Sequence, residues 1–282
     1  MRKIPDKLSI DKSSMLPKMP VLFVGHGSPM NAVEDNQYTA AWKVLGEKLP
    51  RPKAILMVSA HWLTQGTKVH ETKHPNTIHD FWGFPEPLYQ IQYPCPGAVD
   101  VANLIKVLVK KTKIDSDTEW GIDHGAWVPL RYLFPKADVP IVQLSIDASQ
   151  PASFHYQLGK ELAPLREQNI LIIASGNIVH NLGMMRYEPE AKPFSWAEEY
   201  DEVTKQLLFE RDHEPLIKYE RLGNAAALSI PTPEHYWPLL YAIALQEKED
   251  AISFPVTGIA YGSISMRAIA IGMSEINHNI SK

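Results

Sequence analysis

"VLFVGHGSPM", residues 21–30, opens as a buried strand and breaks at once into a histidine held between two glycines. Val21, Leu22, Phe23 and Val24 are apolar and mostly β-favouring. Four such residues in a row leave no polar face, so both sides of the strand must be covered. The same design recurs twice: "AILMVSAHW" (54–62) runs into His61, and "ILIIASGNIVH" (170–180) runs into His180. Apolar runs at 20–25, 54–60, 140–146, 170–175 and 255–261 predict five buried strands. Helical patterns lie between them. "GAVDVANLIKVLVKK" has apolar residues at helical spacing and a basic end that suits the helix dipole. "SQPASFHYQLGKELAPLREQ" offers Ser149 as N-cap and Pro151 in the first turn. "FSWAEEYDEVTKQLLFERD" and "TPEHYWPLLYAIALQ" are two more. Strands alternating with helices predict an α/β fold: a single domain with a central, largely parallel sheet flanked by helices. Strand order is not written in any local pattern.

The composition is that of an ordinary globular protein: 282 residues, 45% hydrophobic and 21% charged. A net charge of −4 and a pI near 6.3 give no electrostatic case for nucleic acid. The lone cysteine, Cys95 in "YPCPG", excludes an intramolecular disulfide and a multi-thiolate zinc site, and is read as a packing residue. No run approaches the roughly 18 apolar residues that span a membrane. The N-terminus "MRKIPDKLSIDKSSM" lacks the apolar core of a secretory signal. The expected compartment is the cytoplasm. Residues 1–17 read as a polar tail and 18–282 as one catalytic domain.

In open α/β sheets, ligands bind beyond the carboxyl ends of the strands. His26 and His61 directly follow predicted strands, and His180 follows a third by a short turn. Parallel strands gather these three imidazoles at one edge. His235 in "PTPEHYWPLL" is expected in the first turn of a helix, with Thr232 as N-cap and Pro233 as first helical residue. The positive helix end would keep its ring neutral, as a metal ligand must be. Gly25, Gly27 and Gly176 could allow unusual dihedrals and close approach of a ligand. His70, His74, His155, His213 and His278 are assigned to surface or hydrogen-bonded positions. Other chemistries fit less well. Ser28 in "GHGSP" is no nucleophile elbow, because Met30 stands where that turn needs glycine. There is no Walker loop, and no G-x-G-x-x-G follows a strand.

Seven segments together, "GHGSPMNAVEDN", "VSAHW", "TIHDFWGFPEPLYQIQYPCPG", "WGIDHGAWVPL", "VQLSID", "ASGNIVHNL" and "IPTPEHYWPLLY", resemble the class III extradiol ring-cleavage dioxygenases of the LigB superfamily, nearest the DOPA 4,5-dioxygenase group. The likeness runs from about Met19 to Gly272. It implies one α/β domain with a divalent metal at the strand ends, and it matches His26, His61, His180 and His235 to the metal ligands. His124 of "DHGAW" matches a histidine beside the open coordination positions, and with Gly121 and Gly125 around it "WGIDHGAW" reads as a loop rather than a helix face. The usual non-haem iron(II) oxygenase site has two histidines and a carboxylate. Here "PEHY" stands at the carboxylate's place, and His235 rather than Glu234 is read as the ligand. An all-histidine set also suits zinc, which has no redox chemistry. Zinc is therefore expected as the bound metal and Fe(II) as the metal that works with O2. The implied substrates are a catechol such as DOPA and O2. A histidine, first His124 and second His180, would take the phenol proton. His79 and Asp80, with Phe81, Trp82 and Phe84, are expected to shape the pocket mouth, and "GSISMRA" reads as a strand-to-helix segment without chemistry. Two competing readings use the same residues: a zinc hydrolase activating water, and a non-catalytic binding relative of the fold. The oligomeric state is left open.

Overall fold

The computed structural model describes residues 18–273, so the expected tail at 1–17 and His278 lie outside the described residues. Six strands form the central sheet: β1 (Val21–Gly25), β2 (Ala54–Ser59), β3 (Ile141–Gln143), β4 (Ile170–Gly176), β5 (Ile252–Val256) and β6 (Ala268–Ile271). Their order is β3-β2-β4-β1-β6-β5. The first four run parallel, while β6 is antiparallel to both β1 and β5.

Each predicted apolar run contributes a central strand, with two adjustments. The run at 140–146 divides: Ile146–Asp147 leaves the sheet and pairs with Leu63–Thr64. The run at 255–261 also divides, and Ile259–Ala260 forms a small hairpin with Ile264–Ser265. The segment read as strand-to-helix is therefore a hairpin arm leading into strand β6. Its alternation of small and apolar residues suits β6, which is buried throughout between two partners.

Side chains on successive strand residues point to opposite faces. Val21, Phe23, Leu56, Val58, Ile172 and Ala174 face one core; Leu22, Val24, Ile55, Met57, Leu171 and Ile173 face the other. Helices α1 (Gln37–Lys48) and α3 (His124–Leu133) cover the second face. Helices α2 (Val99–Leu108), α4 (Ala152–Glu161), α5 (Ser195–Glu210) and α6 (Trp237–Ile243) cover the first. Each fully buried large apolar side chain contributes about 1.5–3 kcal/mol.

Two local expectations are corrected. Helix α4 takes Pro151, not Ser149, as its N-cap; Ser149 instead donates from its hydroxyl to Asp147 Oδ1 at 2.7 Å. Helix α6 starts at Trp237, because the 233–236 segment forms a separate turn in which Tyr236 N–H donates to Pro233 O. His235 therefore precedes the helix rather than lying in its first turn. Among the described residues no helix is long and apolar enough to cross a membrane. Cys95 is buried, and burial pushes its thiol up to about 12, in keeping with a packing role.

Candidate active site

Strands β2, β4 and β1 are neighbours, and their carboxyl ends carry His61, His180 and His26 to one edge of the sheet. His235 reaches the same edge because Gly176, at the end of β4, has no side chain. A Cβ there would sit 2.1 Å from His235 O, whereas Asn177 N–H donates to that oxygen at 2.8 Å. Gly176 thus serves backbone packing rather than a ligand, and so does Gly25, whose Cβ would meet Ser265 O at 2.7 Å. Gly27, at φ +63°, is the glycine that turns the chain.

The hydrogen bonds behind the rings fix which nitrogen faces inward. Ser175 Oγ donates to Gly125 O at 2.5 Å, so at 3.0 Å from His26 Nδ1 it accepts. His26 therefore carries its proton on Nδ1 and presents a bare Nε2. His61 Nδ1 lies 3.2 Å from Asp80 Oδ2, and His124 Nδ1 lies 3.0 Å from Asp80 Oδ1 at ion-pair distance. Asp80 Oδ1 also accepts from the His124 backbone N–H at 2.9 Å. A carboxylate beside both Nδ1 atoms favours the proton there. His235 Nδ1 has Glu234 Oε1 at 3.3 Å.

Inside the ring of imidazoles, His26 Nε2 and His61 Nε2 are 3.1 Å apart. Two bare lone pairs at that distance repel unless a cation lies between them. The spacing is within reach of two nitrogens each about 2.1 Å from one ion, so the residues present fit a divalent metal. His235 joins them, with ring centroids 5.3 Å from His26 and 5.0 Å from His61. His124 lies 3.9 Å from His61 by the same measure. His180 is set differently: it stacks on His235 at 3.6 Å, nearly parallel. Donor atoms fall into two groups, each within 4.8 Å: His26, His61 and His124, then His180, Glu234 and His235. All five expected histidines thus share one edge, but His124 keeps company with His26 and His61, and His180 with Glu234.

His124 is not a loop residue as its glycine-flanked sequence suggested. It is the first residue of α3, with Asp123 as N-cap. Asp123, the neighbour in sequence, faces away: it accepts from Ser59 Oγ at 2.6 Å and from Gln143 Nε2 at 2.8 Å. The carboxylate beside His124 is Asp80 instead.

Burial first, then the charge that neighbouring imidazoles would carry, holds His26, His61 and His180 well below 6.5. Burial lowers His235 as well, and draws His155, outside the cluster, down to about 4. The rings are neutral at neutral pH. The unfolded chain takes up protons below about 6.5, and the folded chain does so only at lower pH. Stability linked to these groups is therefore complete above about 6.5 and lost as the pH falls. The metal-free protein should show a melting temperature that declines steadily from pH 7 to pH 5. A flat profile over that range would contradict the buried, neutral state of the cluster.

The histidines floor a cavity of about 660 Å³. Phe81, Trp82 and Phe84 wall it on the His124 side, where the Phe81 ring stands edge-on to His124 at 5.5 Å. Leu182, Met185, Tyr261 and Ile264 wall it on the His180 side. Asp80 also lines the cavity, but His79 does not; its Nε2 donates to Ile91 O at 2.9 Å and its ring packs on Trp127. Sequence reasoning missed Ser175, Met30, Leu182, Met185 and Tyr261. For Ser175 the signal was its place beside Gly176 at a strand end; for Tyr261 it was a tyrosine set between Gly258 and Gly262.

The sequence matches the catalytic LigB subunit of aromatic ring-opening dioxygenases over residues 19–258. It is 46% identical over 259 residues to the 4,5-DOPA dioxygenase extradiol of Escherichia coli (strain K12), covering 90% of this chain and 95% of that one. It is 38% identical to the protein of the same name from Beta vulgaris, covering 78% of this chain and 84% of the relative. A crystal structure of an uncharacterized protein from Escherichia coli K12 superposes with a TM-score of 0.79 at 43% identity, over 90% of this chain and 100% of that chain.

Proposed function

Since this chain belongs to the LigB family of aromatic ring-opening dioxygenases, we propose that it is an extradiol dioxygenase that opens a catechol such as DOPA at its histidine cluster. The observation that carries the assignment to this site is the pair of inward-facing nitrogens, His26 Nε2 and His61 Nε2, 3.1 Å apart at the floor of an aromatic-walled cavity. In this reading His26, His61 and His235 hold the metal throughout, and His180 is a labile fourth ligand. The stacking of His180 on His235 supports the distinction, since two parallel rings do not aim their lone pairs at one point. A divalent metal bound there supplies a Lewis acid that lowers the phenol pKa and, if redox-active, a site for O2. Fe(II) is the metal assigned to turnover and zinc the metal expected in a preparation, because zinc has no redox chemistry.

The chain's own residues do the remaining work. His124 receives a phenol proton on its Nε2, while Asp80 beside Nδ1 steadies the imidazolium that forms. Phe81 lies against the His124 ring and, with Phe84 and Met185, offers apolar area for an aromatic substrate. Residues 18–282 are assigned to this one catalytic domain, and the cytoplasm is the location proposed for it.

The test is reconstitution with Fe(II) without oxygen, and then oxygen-electrode assays over a panel of catechols including DOPA. Uptake of one O2 per ring-opened semialdehyde is the expected result. No uptake with any catechol, together with ester hydrolysis by the zinc form, would replace this function with that of a metallohydrolase.

A further inference from the structure

Tyr261 occupies a backbone conformation that a tyrosine rarely adopts. Its φ is +52°, in the left-handed region, which disfavours a large side chain. Three other non-glycine residues among those described share a positive φ: Ala137, Asn169 and Arg211. Asn169 and Arg211 simply terminate helices, and of the four only Tyr261 lines the cavity. The turn itself gives no reason for the tyrosine, since a glycine, Gly262 at φ +74°, stands at the next position. The conformation is held from both sides by a separate segment. Tyr261 N–H donates to Pro189 O, and Arg186 N–H donates to Tyr261 O, each at 2.9 Å.

The held ring serves the cavity. Its phenol lies near the hydroxyl of Ser28, two residues beyond His26, and both side chains line the cavity. Ser28 Oγ is kept in place by the Met30 N–H, which donates to it at 3.2 Å. Apart from the five histidines and Asp80, the side-chain donors that line the cavity among the described residues are Ser28, Tyr261 and the indole N–H of Trp82, which is largely exposed at the rim. Asp80 is already engaged by His61 and His124, and its charge repels an anion.

We propose that Tyr261, assisted by Ser28, is the specificity-determining residue of this site, donating a hydrogen bond to an acceptor on the side chain of the catechol, a carboxylate above all. This rests on the reading that the cavity holds a catechol. Burial keeps the phenol protonated and so a donor. The substrate class is then a catechol bearing a polar, acceptor-rich substituent rather than a bare or alkyl-substituted one.

The test compares DOPA with 4-methylcatechol, which lacks the acceptor, on metal-loaded protein without oxygen, by calorimetric Kd for wild type and Tyr261→Phe. The substitution removes one oxygen and keeps the ring. The preference for DOPA over 4-methylcatechol should fall about tenfold or more in Tyr261→Phe, the loss expected for a hydrogen bond to a charged group. Ser28→Ala should lower the same ratio by less. An unchanged ratio in Tyr261→Phe overturns the proposal, as does failure of both ligands to bind the wild type. Turnover under oxygen is read separately. Binding without ring cleavage in any protein would overturn the dioxygenase assignment while the binding ratio still decides the role of Tyr261.

Discussion

His61→Ala should leave a folded protein that holds no metal after dialysis and no longer consumes O2 with a catechol. His61 sits just past the end of β2 and belongs to neither hydrophobic core, so its truncation removes a donor and little packing. Substituting a residue that only supports a ligand typically costs 10–100-fold in metal affinity, and loss of the ligand itself should exceed about 100-fold. His26→Ala and His235→Ala should behave alike. His180→Ala should retain part of the metal, because its ring touches His235 and stands apart from His26 and His61. Metal analysis beside a thermal melt separates these cases from unfolding. Full occupancy in any one of the three variants removes that residue from the ligand set.

His124→Ala should divide metal from activity. With His26, His61 and His235 intact the metal stays, while turnover falls by about 10²–10⁴, the usual worth of a general acid/base group. Small added bases should restore part of the rate. The outcome matters because His124 lies in the same group of donor atoms as His26 and His61. Should His124→Ala lose its metal instead, His124 is a ligand and the proton passes to His180. Near-normal turnover would likewise move the acid/base role to His180.

The central strands and the edge that carries the histidines were legible because both depend on local pattern. A strand covered on both faces must be apolar throughout, and a parallel strand delivers the next residues of the chain to the carboxyl edge. The α3 helix was hidden because its first residues, "HGAW", contain a glycine that favours a loop reading. That glycine is needed for close contact: a Cβ on Gly125 would lie 2.6 Å from Ser59 Oγ. Asp80 and Ser175 were not legible as partners of His61, His124 and His26, since they meet across long separations that no spacing rule records. Tyr261 was missed for another reason. Its conformation is held by residues 186–189, and although Gly258 and Gly262 mark a turn around it, nothing in the local sequence records that distant hold.

The position of β6 between β1 and β5 has a consequence for how the chain is made. Among the described strands β1 leaves the ribosome first, and its two neighbours are β4 and β6, whose residues end at 176 and 271. At about 5–20 residues per second, one edge of β1 waits roughly ten seconds to a minute for its antiparallel partner. During that interval a fully apolar strand presents unpaired backbone groups, the kind of edge that recruits other chains. Slowed synthesis of the last quarter of the chain should therefore raise aggregation more than slowed synthesis of the first.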